Sequence, residues 1–274
     1  PRAPVVNVVP ADPAVNVETI QANGVPGTAS ITLTDYITVD KKEYSVNFGI
    51  KSVSDEFNTN TLGRQWSWIR ENKSDWSLSK TPGSLVIKGA KGDITGALKT
   101  AENILLQSAN TDWTILTKVT FSRKPSLFNQ QGGLIAWQDD DNYVKLVYRS
   151  NPRSFRTRTG VLDMIIERNG DSFSLAGFRS PDVINDNNYS LILKLERKGG
   201  KISGSYSRDG KTFNNVGDVD IILKDAKAGL FVCNGSDEGR PAMPGMRGME
   251  TPAAEQGDFE VSYDYFRITN SGLK

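Results

Sequence analysis

The feature that most restricts this chain is its rhythm: apolar residues recur at every second position over short runs, and turn residues cut the runs apart. Such runs occupy residues 85–88, 104–107, 113–121, 133–137, 143–148, 161–167, 172–177, 189–196, 201–206, 228–233 and 259–268. A period of two sends alternate side chains to opposite faces of an extended strand. Short strands at regular spacing are the signature of a sandwich or barrel. Nothing repeats at a fixed longer period, which argues against a solenoid or propeller. The best helix candidate, 218–224, is β-branched and has neither an apolar stripe nor a good cap. The sequence therefore reads as all-β, with a two-sheet sandwich as its main body.

Turn chemistry orders part of that body. Asp209-Gly210 stands between 202–207 and Thr212-Phe213, and Lys198-Gly199-Gly200 joins 191–196 to 201–206. Both are hairpin signals because glycine accepts positive φ, so 189–213 reads as a meander. In the last run the alternation Phe259, Val261, Tyr263 shifts phase to Phe266, Ile268. A slip of one residue predicts a β-bulge near Asp264-Tyr265, since an unbroken strand would turn Phe266 to solvent. Residues 239–257 have no periodicity and read as a long surface insertion, with Met243, Met246 and Met249 as an alternative apolar contact surface.

The opening segment, residues 1–50, has a different texture from 51–274. Its clear runs are 29–33 and 44–48, and 4–9 is a candidate for one more strand. So few strands cannot close a sandwich. The segment either docks on the main body or is the tail of a domain whose beginning lies elsewhere.

Charge and cysteine content remove several function classes. Lys plus Arg number 33 against 32 Asp plus Glu, a net charge of +1, so no field steers the chain to nucleic acid or an anionic membrane. Cys233 is the only cysteine, lies in an apolar run, and reads as a buried, inert thiol. With no histidine, the usual base for cysteine catalysis and the usual zinc ligands are missing. No run reaches the roughly 18 apolar residues of a membrane helix.

A family pattern accompanies these readings. Asp55-Glu56-Phe57, Leu62-Gly63, Gln65-Trp66-Ser67-Trp68-Ile69-Arg70, Trp76-Ser77-Leu78, Pro82-Gly83-Ser84-Leu85, Asn103-Ile104-Leu105-Leu106-Gln107, Gly132-Gly133-Leu134, Asp141-Asn142-Tyr143 and Asp264-Tyr265-Phe266-Arg267 occur in this order. They resemble the concanavalin-A-like C-terminal domain of family 43 glycoside hydrolases, the β-xylosidase and α-L-arabinofuranosidase type. The resemblance implies a jelly-roll sandwich in a secreted bacterial enzyme whose catalytic site belongs to a separate propeller. It implies an accessory or sugar-binding role, with a catalytic domain or N-terminal remainder of the same parent protein and a plant-type polysaccharide of the xylan or arabinan kind as partners. In the opening segment, Asp12-Pro13-Ala14, Gln21-Ala22, Pro26-Gly27-Thr28-Ala29 and Tyr44-Ser45-Val46-Asn47-Phe48 look like the end of an immunoglobulin-like linker domain.

Glycoside hydrolysis generally needs two carboxylates, about 5–5.5 Å apart for retention and about 6.5–9.5 Å for inversion. Glu167, Glu196 and Glu260 each lie in a strand with no second acid two residues on. Asp218 and Asp220 have that spacing but sit in a turn context, and Asp139-Asp140-Asp141 reads as a hairpin loop. The expectation is a non-catalytic module, the alternative a hydrolase with its own acidic pair in the sandwich cleft. Sugars stack on aromatic faces and bond through amides and charged groups, which selects Trp66, Trp68, Trp137, Gln138, Asp139, Asn142, Tyr143, Tyr148 and Arg149 as a glycan face, against ordinary cross-strand packing. Trp76 and Trp113 read as core. Phe155 among Arg149, Arg153, Arg156 and Arg158 reads as a contact with a neighbouring domain. Related sandwiches hold a structural calcium ion where the first and last strands meet, which nominates Asp55 and Asp264 as Ca2+ ligands.

Overall fold

The computed structural model describes residues 2–25, 27–48, 52–127, 129–150, 160–175, 183–184, 189–235 and 258–271. The chain divides into two compact units, Pro1–Lys51 and Ser52–Lys274. The insertion at 239–257 and the arginine-rich loop around Phe155 fall outside the described residues.

The first unit is a three-stranded antiparallel sheet of β1 (Val15–Ile20), β2 (Gly27–Asp35) and β3 (Lys41–Phe48), in that spatial order. β2 and β3 contain the two runs read from the sequence. The third strand is not the run 4–9, which forms no strand and leaves Val5 and Val9 exposed. β1 pairs instead, with Val17 opposite Leu33 and Thr19 opposite Ile31. Ala29 and Ile31 are the buried apolar residues of this sheet.

The second unit is a sandwich of two antiparallel sheets. One contains β12 (Asp171–Ser174), β11 (Gly160–Arg168), β10 (Asn142–Ser150), β9 (Gln130–Asp139), β16 (Lys227–Asn234), β7 (Ile104–Ser108) and β4 (Ser67–Ile69), in spatial order. The other runs β15 (Asn214–Asp220), β14 (Lys201–Ser207), β13 (Ser190–Lys198), β8 (Asp112–Phe121), β17 (Glu260–Tyr263), β6 (Leu85–Lys88) and β5 (Trp76–Ser77), and β18 (Arg267–Ser271) also pairs with β8. The core between them follows from alternation. In β8, Trp113, Ile115, Thr117, Val119 and Phe121 are buried while the residues between them are half-buried. They meet Leu134, Ala136, Val144, Leu146, Leu162, Met164 and Leu230 of the facing sheet. Fully burying one such aliphatic side chain stabilises by about 1.5–3 kcal/mol.

The expected meander is present as β13-β14-β15. Its last strand begins at Asn214, so Thr212-Phe213 belong to the turn. Residues 218–220, the N-terminal part of the helix candidate, are strand. The bulge is also present. Tyr263 faces Val119 and Arg267 faces Leu116, so three residues, 264–266, stand against two, Thr117 and Lys118. Phe266 thereby turns inward and is buried. An Asn169-Gly170 pair, with φ of 52° and 85°, closes β11 onto β12 as a tight hairpin requires.

Candidate functional site

β9, β10 and β11 are buried on both faces, because a second layer covers the outer face of their sheet. Ile94 and Ala101, from the irregular segment 90–103, pack against Ile104, Leu106, Ile135, Tyr143, Val147, Ile165, Phe231 and Cys233. Apolar residues cover part of that face, and ionisable groups occupy the rest. Leu162, Met164 and Ile166 point into the sandwich, so strand alternation sends Asp163 and Glu167 outward from β11. The same rule sends Tyr143, Lys145 and Arg149 outward from β10.

Each of these groups is held. Lys145 is fully buried, with its Nζ 3.3 Å from Asp93 Oδ1 and 4.4 Å and 5.1 Å from the ring centres of Phe231 and Tyr143. Asp93 also accepts from the Ile94 amide at 2.8 Å. Arg149 Nε and Nη2 donate to Asp163 Oδ2 at 2.8 and 2.7 Å, and Ser174 Oγ donates to the same carboxylate. The Tyr143 hydroxyl donates to Glu167 Oε2 at 2.8 Å, and the Gly96 amide donates to Oε1 at 2.7 Å. Burial pushes the Glu167 carboxyl above its ordinary value, against the pull of Tyr143, Gly96 and Lys145. Burial likewise raises the Tyr143 phenol and the thiol of Cys233, which is buried as expected.

No hydrolytic pair emerges from this face among the described residues. Asp163 and Glu167 share β11 but are four residues apart, which is about 13 Å along a strand and beyond the separations, up to about 9.5 Å, that hydrolysis uses. Each also has a committed partner.

The residues selected for a glycan face are dispersed. Tyr148 is fully buried in the inter-sheet core with its ring 5.3 Å from that of Phe121, which removes it from any sugar contact. Tyr143 lies beneath residues 90–103, and Arg149 is buried against Asp163. Trp66 and Trp68 are half-buried and spend their faces on packing, Trp66 against Phe57 and Phe266, Trp68 against Trp76 at 5.1 Å. Trp113 is core, and Trp76 is half-buried against it. What stays together is the end of the β9–β10 hairpin: Trp137, Gln138, Asp139 and Asn142, all half-buried. There Lys227 stands 5.4 Å from the Trp137 ring centre, and Arg70 Nη1 meets Asp140 at 2.6 Å. Burial opposes ionisation of Asp139, but hydrogen bonds from Asn142, Gln138 and the Asp141 amide outweigh it and lower the carboxyl.

Asp55 and Asp264 flank the meeting of first and last strands, yet their oxygens are taken. Asp55 accepts from the Phe57 amide, Trp66 Nε1 and Gln65 Nε2 at 2.9, 2.8 and 3.4 Å. Asp264 faces the Lys118 ammonium at 2.6 Å and Ser84 Oγ at 3.3 Å. The partners of these two carboxylates are N–H groups, a serine hydroxyl and an ammonium, whereas a calcium cage gathers six to eight oxygens. Among the described residues no cluster of three or more His, Cys, Asp or Glu stands ready for a metal.

The sequence reading missed Asp93, Lys145 and Asp163. For Lys145 and Asp163 the signal was present, a charged residue between inward-facing apolar ones. Asp93 lies in a segment without periodicity.

Comparison with known proteins places this geometry. Residues 54–235 match the family described as β-xylosidase C-terminal concanavalin-A-like domain. Over 118 residues the chain is 32% identical to the non-reducing end α-L-arabinofuranosidase BoGH43B of Bacteroides ovatus, covering 42% of this chain and 22% of that protein. The GH43 BlXynB protein from Bacillus licheniformis is similar in structure, with a TM-score of 0.60 at 17% identity over 96% of this chain and 56% of that one. A xylan β-1,4-xylosidase from Bacillus halodurans gives 0.62 at 14% identity over 94% and 54%. At these identities the structural likeness speaks for the fold. The chain spans about half the length of those two solved proteins.

Proposed function

The chain belongs to the β-xylosidase C-terminal concanavalin-A-like domain family, and from that membership we propose that it is a non-catalytic accessory module of a larger, secreted bacterial enzyme acting on xylan- or arabinan-type glycans. The observation that carries this reading is the state of the carboxylates on the outer sheet face: Asp93 is neutralised by Lys145, Asp163 by Arg149, and Glu167 is buried under Tyr143 and Gly96. None is left as an acid and base flanking a groove. The module's partner is then the catalytic part of the same polypeptide, and residues 1–50 are the C-terminal part of an immunoglobulin-like domain, a reading supported by the resemblance of their sequence.

Sugar contact falls to the β9–β10 hairpin end, where Trp137 offers a ring edged by Gln138, Asp139 and Asn142. Binding there is weak, because most of these polar groups already bond one another: Gln138 and Asn142 both donate to Asp139 at 2.9 Å. The test is a panel of aryl xylosides and arabinofuranosides, xylan and arabinan, offered to the purified chain. The expected result is no turnover, with weak binding to a polysaccharide that Trp137→Ala removes. Turnover lost on substitution of two neighbouring carboxylates would establish the hydrolase instead.

A further inference from the structure

An asparagine followed by a glycine occurs three times, at Asn23-Gly24, Asn169-Gly170 and Asn234-Gly235. The pair is reactive because glycine has no Cβ to keep its main-chain nitrogen away from the asparagine side chain. Once that nitrogen loses its proton, it can attack the asparagine Cγ. Attack needs a side chain free to swing and a glycine amide free of a hydrogen bond. The fold grants these conditions unequally.

Two of the pairs are held. Asn234 is half-buried at the end of β16, where its Oδ1 accepts from Gln130 Nε2 and its amide donates to the Ala90 carbonyl at 2.8 Å. The carbonyl of Gly235 accepts from the Gly92 amide at 3.0 Å, which fixes the other half of the pair. Asn169 is exposed, but its amide donates to Asn142 Oδ1 and the Gly170 amide to the Asp141 carbonyl, both at 3.1 Å. Attack by the Gly170 nitrogen would break that bond and the β11–β12 turn with it.

Asn23-Gly24 lies in the bend between β1 and β2 and is differently placed. Asn23 is exposed, and among the described residues neither its carboxamide nor the Gly24 amide has a hydrogen-bond partner. Anchoring stops two residues earlier, at Gln21, which donates to the Val6 carbonyl and accepts from the Val6 amide, both at 2.8 Å. The pair can therefore sample the attacking geometry without opening the sheet.

We propose that Asn23-Gly24 is a site of spontaneous covalent modification, at which the folded chain converts Asn23 to aspartate and isoaspartate. Hydroxide takes the Gly24 amide proton, and the nitrogen forms a bond to Asn23 Cγ. The Cγ–Nδ2 bond breaks, and Nδ2 takes up a proton and leaves as ammonia. Water then opens the cyclic imide at either carbonyl. One opening gives aspartate, and the other gives isoaspartate, in which the main chain runs through the former side chain. Either product adds one negative charge, so the formal net charge of +1 falls to zero.

Tryptic mapping of the full chain after incubation in mildly alkaline buffer tests this. Trypsin places the three pairs in separate peptides, 3–41, 169–179 and 228–247. The native chain is expected to gain the mass of an amide-to-acid exchange in 3–41 alone, located to residue 23 by fragmentation. That peptide is expected to resolve into two products, of which the isoaspartyl form accepts a methyl group from S-adenosylmethionine when an isoaspartyl methyltransferase is added. Gly24→Ala and Asn23→Gln are each expected to abolish the gain. In denaturant all three pairs are expected to react, because the fold is what protects Asn169 and Asn234. A native chain whose residue 23 stays intact, or in which Asn169 or Asn234 reacts as fast, overturns the proposal. If either variant melts early, the comparison of the three pairs within the wild-type chain decides by itself.

Discussion

The hydroxyl of Tyr263, from β17, crosses the core and engages both the amide and the carbonyl of Gly133 on the opposite sheet. It accepts from the Gly133 amide at 3.1 Å and is shared between the carbonyls of Gly133 and Phe231 at 3.1 and 3.0 Å. Burial raises its phenol, so the proton stays on to donate. The two sheets are therefore joined by a polar bolt inside an apolar layer, where an unpaired amide is costly.

Tyr263→Phe leaves the Gly133 amide and a carbonyl without that partner. The expected loss is about 1–3 kcal/mol, read as a lower urea midpoint with an unchanged slope. An unchanged midpoint would show that water replaces the hydroxyl.

The Asp93–Lys145 pair predicts non-additive energetics. Lys145→Met strands a buried carboxylate and is expected to cost about 3–5 kcal/mol. Adding Asp93→Asn removes the stranded charge while keeping an acceptor for the Ile94 amide, so the double variant is expected to be more stable than Lys145→Met alone. Denaturant melts of the two single variants and the double variant complete the cycle.

Glu167 predicts a pH signature. Its folded carboxyl is raised above the unfolded value of 4.5, so the native state holds the proton more tightly, and stability falls as pH rises from the unfolded value through the folded one. Glu167→Gln keeps an acceptor for the Gly96 amide and has no such charge. Its melting temperature is expected to match wild type near about pH 4 and to exceed it at about pH 8. A constant gap would rule out the titration as its source.

At the β14–β15 turn, Asp209 predicts the opposite sign. Its carboxylate accepts from the Thr212 and Lys211 amides and from Ser207 Oγ, which lowers it from 3.8 to about 2. The stabilisation is present above the unfolded value and is lost as pH falls through the folded one. Carboxyl carbon shifts followed by NMR should place the Asp209 midpoint at about 2; a midpoint at the ordinary value would mean the turn bonds are absent in solution.

Asp55 and Asp264 predict indifference to calcium. With Phe57, Gln65 and Trp66 on one carboxylate and Lys118 on the other, neither chelator nor added calcium is expected to move the melting temperature. A rise with calcium, abolished by Asp55→Asn, would reinstate the ion.

What could be read from residues alone was whatever alternation controls. β8 shows its inward set, Trp113 to Phe121, in plain period two, and the phase slip at Asp264-Tyr265 announced the bulge that turns Phe266 inward. Alternation also misled where both faces are buried. Tyr143 and Tyr148 sit five residues apart on β10, so one faces the segment 90–103 and the other the sandwich core, and neither faces solvent. The ring-rich stretch looked like a surface because residues 90–103 cover it without any periodic pattern of their own. The same gap hid Asp93, the partner that lets Lys145 lie buried. In the first unit, Val15 to Glu18 alternates apolar and polar while the valine-rich run 4–9 does not, and it is the alternating segment that pairs with β2.

The Asp55 amide donates to the Phe266 carbonyl at 2.8 Å, and the Phe266 amide returns a bond to Asp55 at 2.7 Å. Entry and exit of the sandwich are thus stitched into one seam, so the unit behaves like a bead on a short double thread. Cutting the chain after Asp264 would undo the entrance along with the exit.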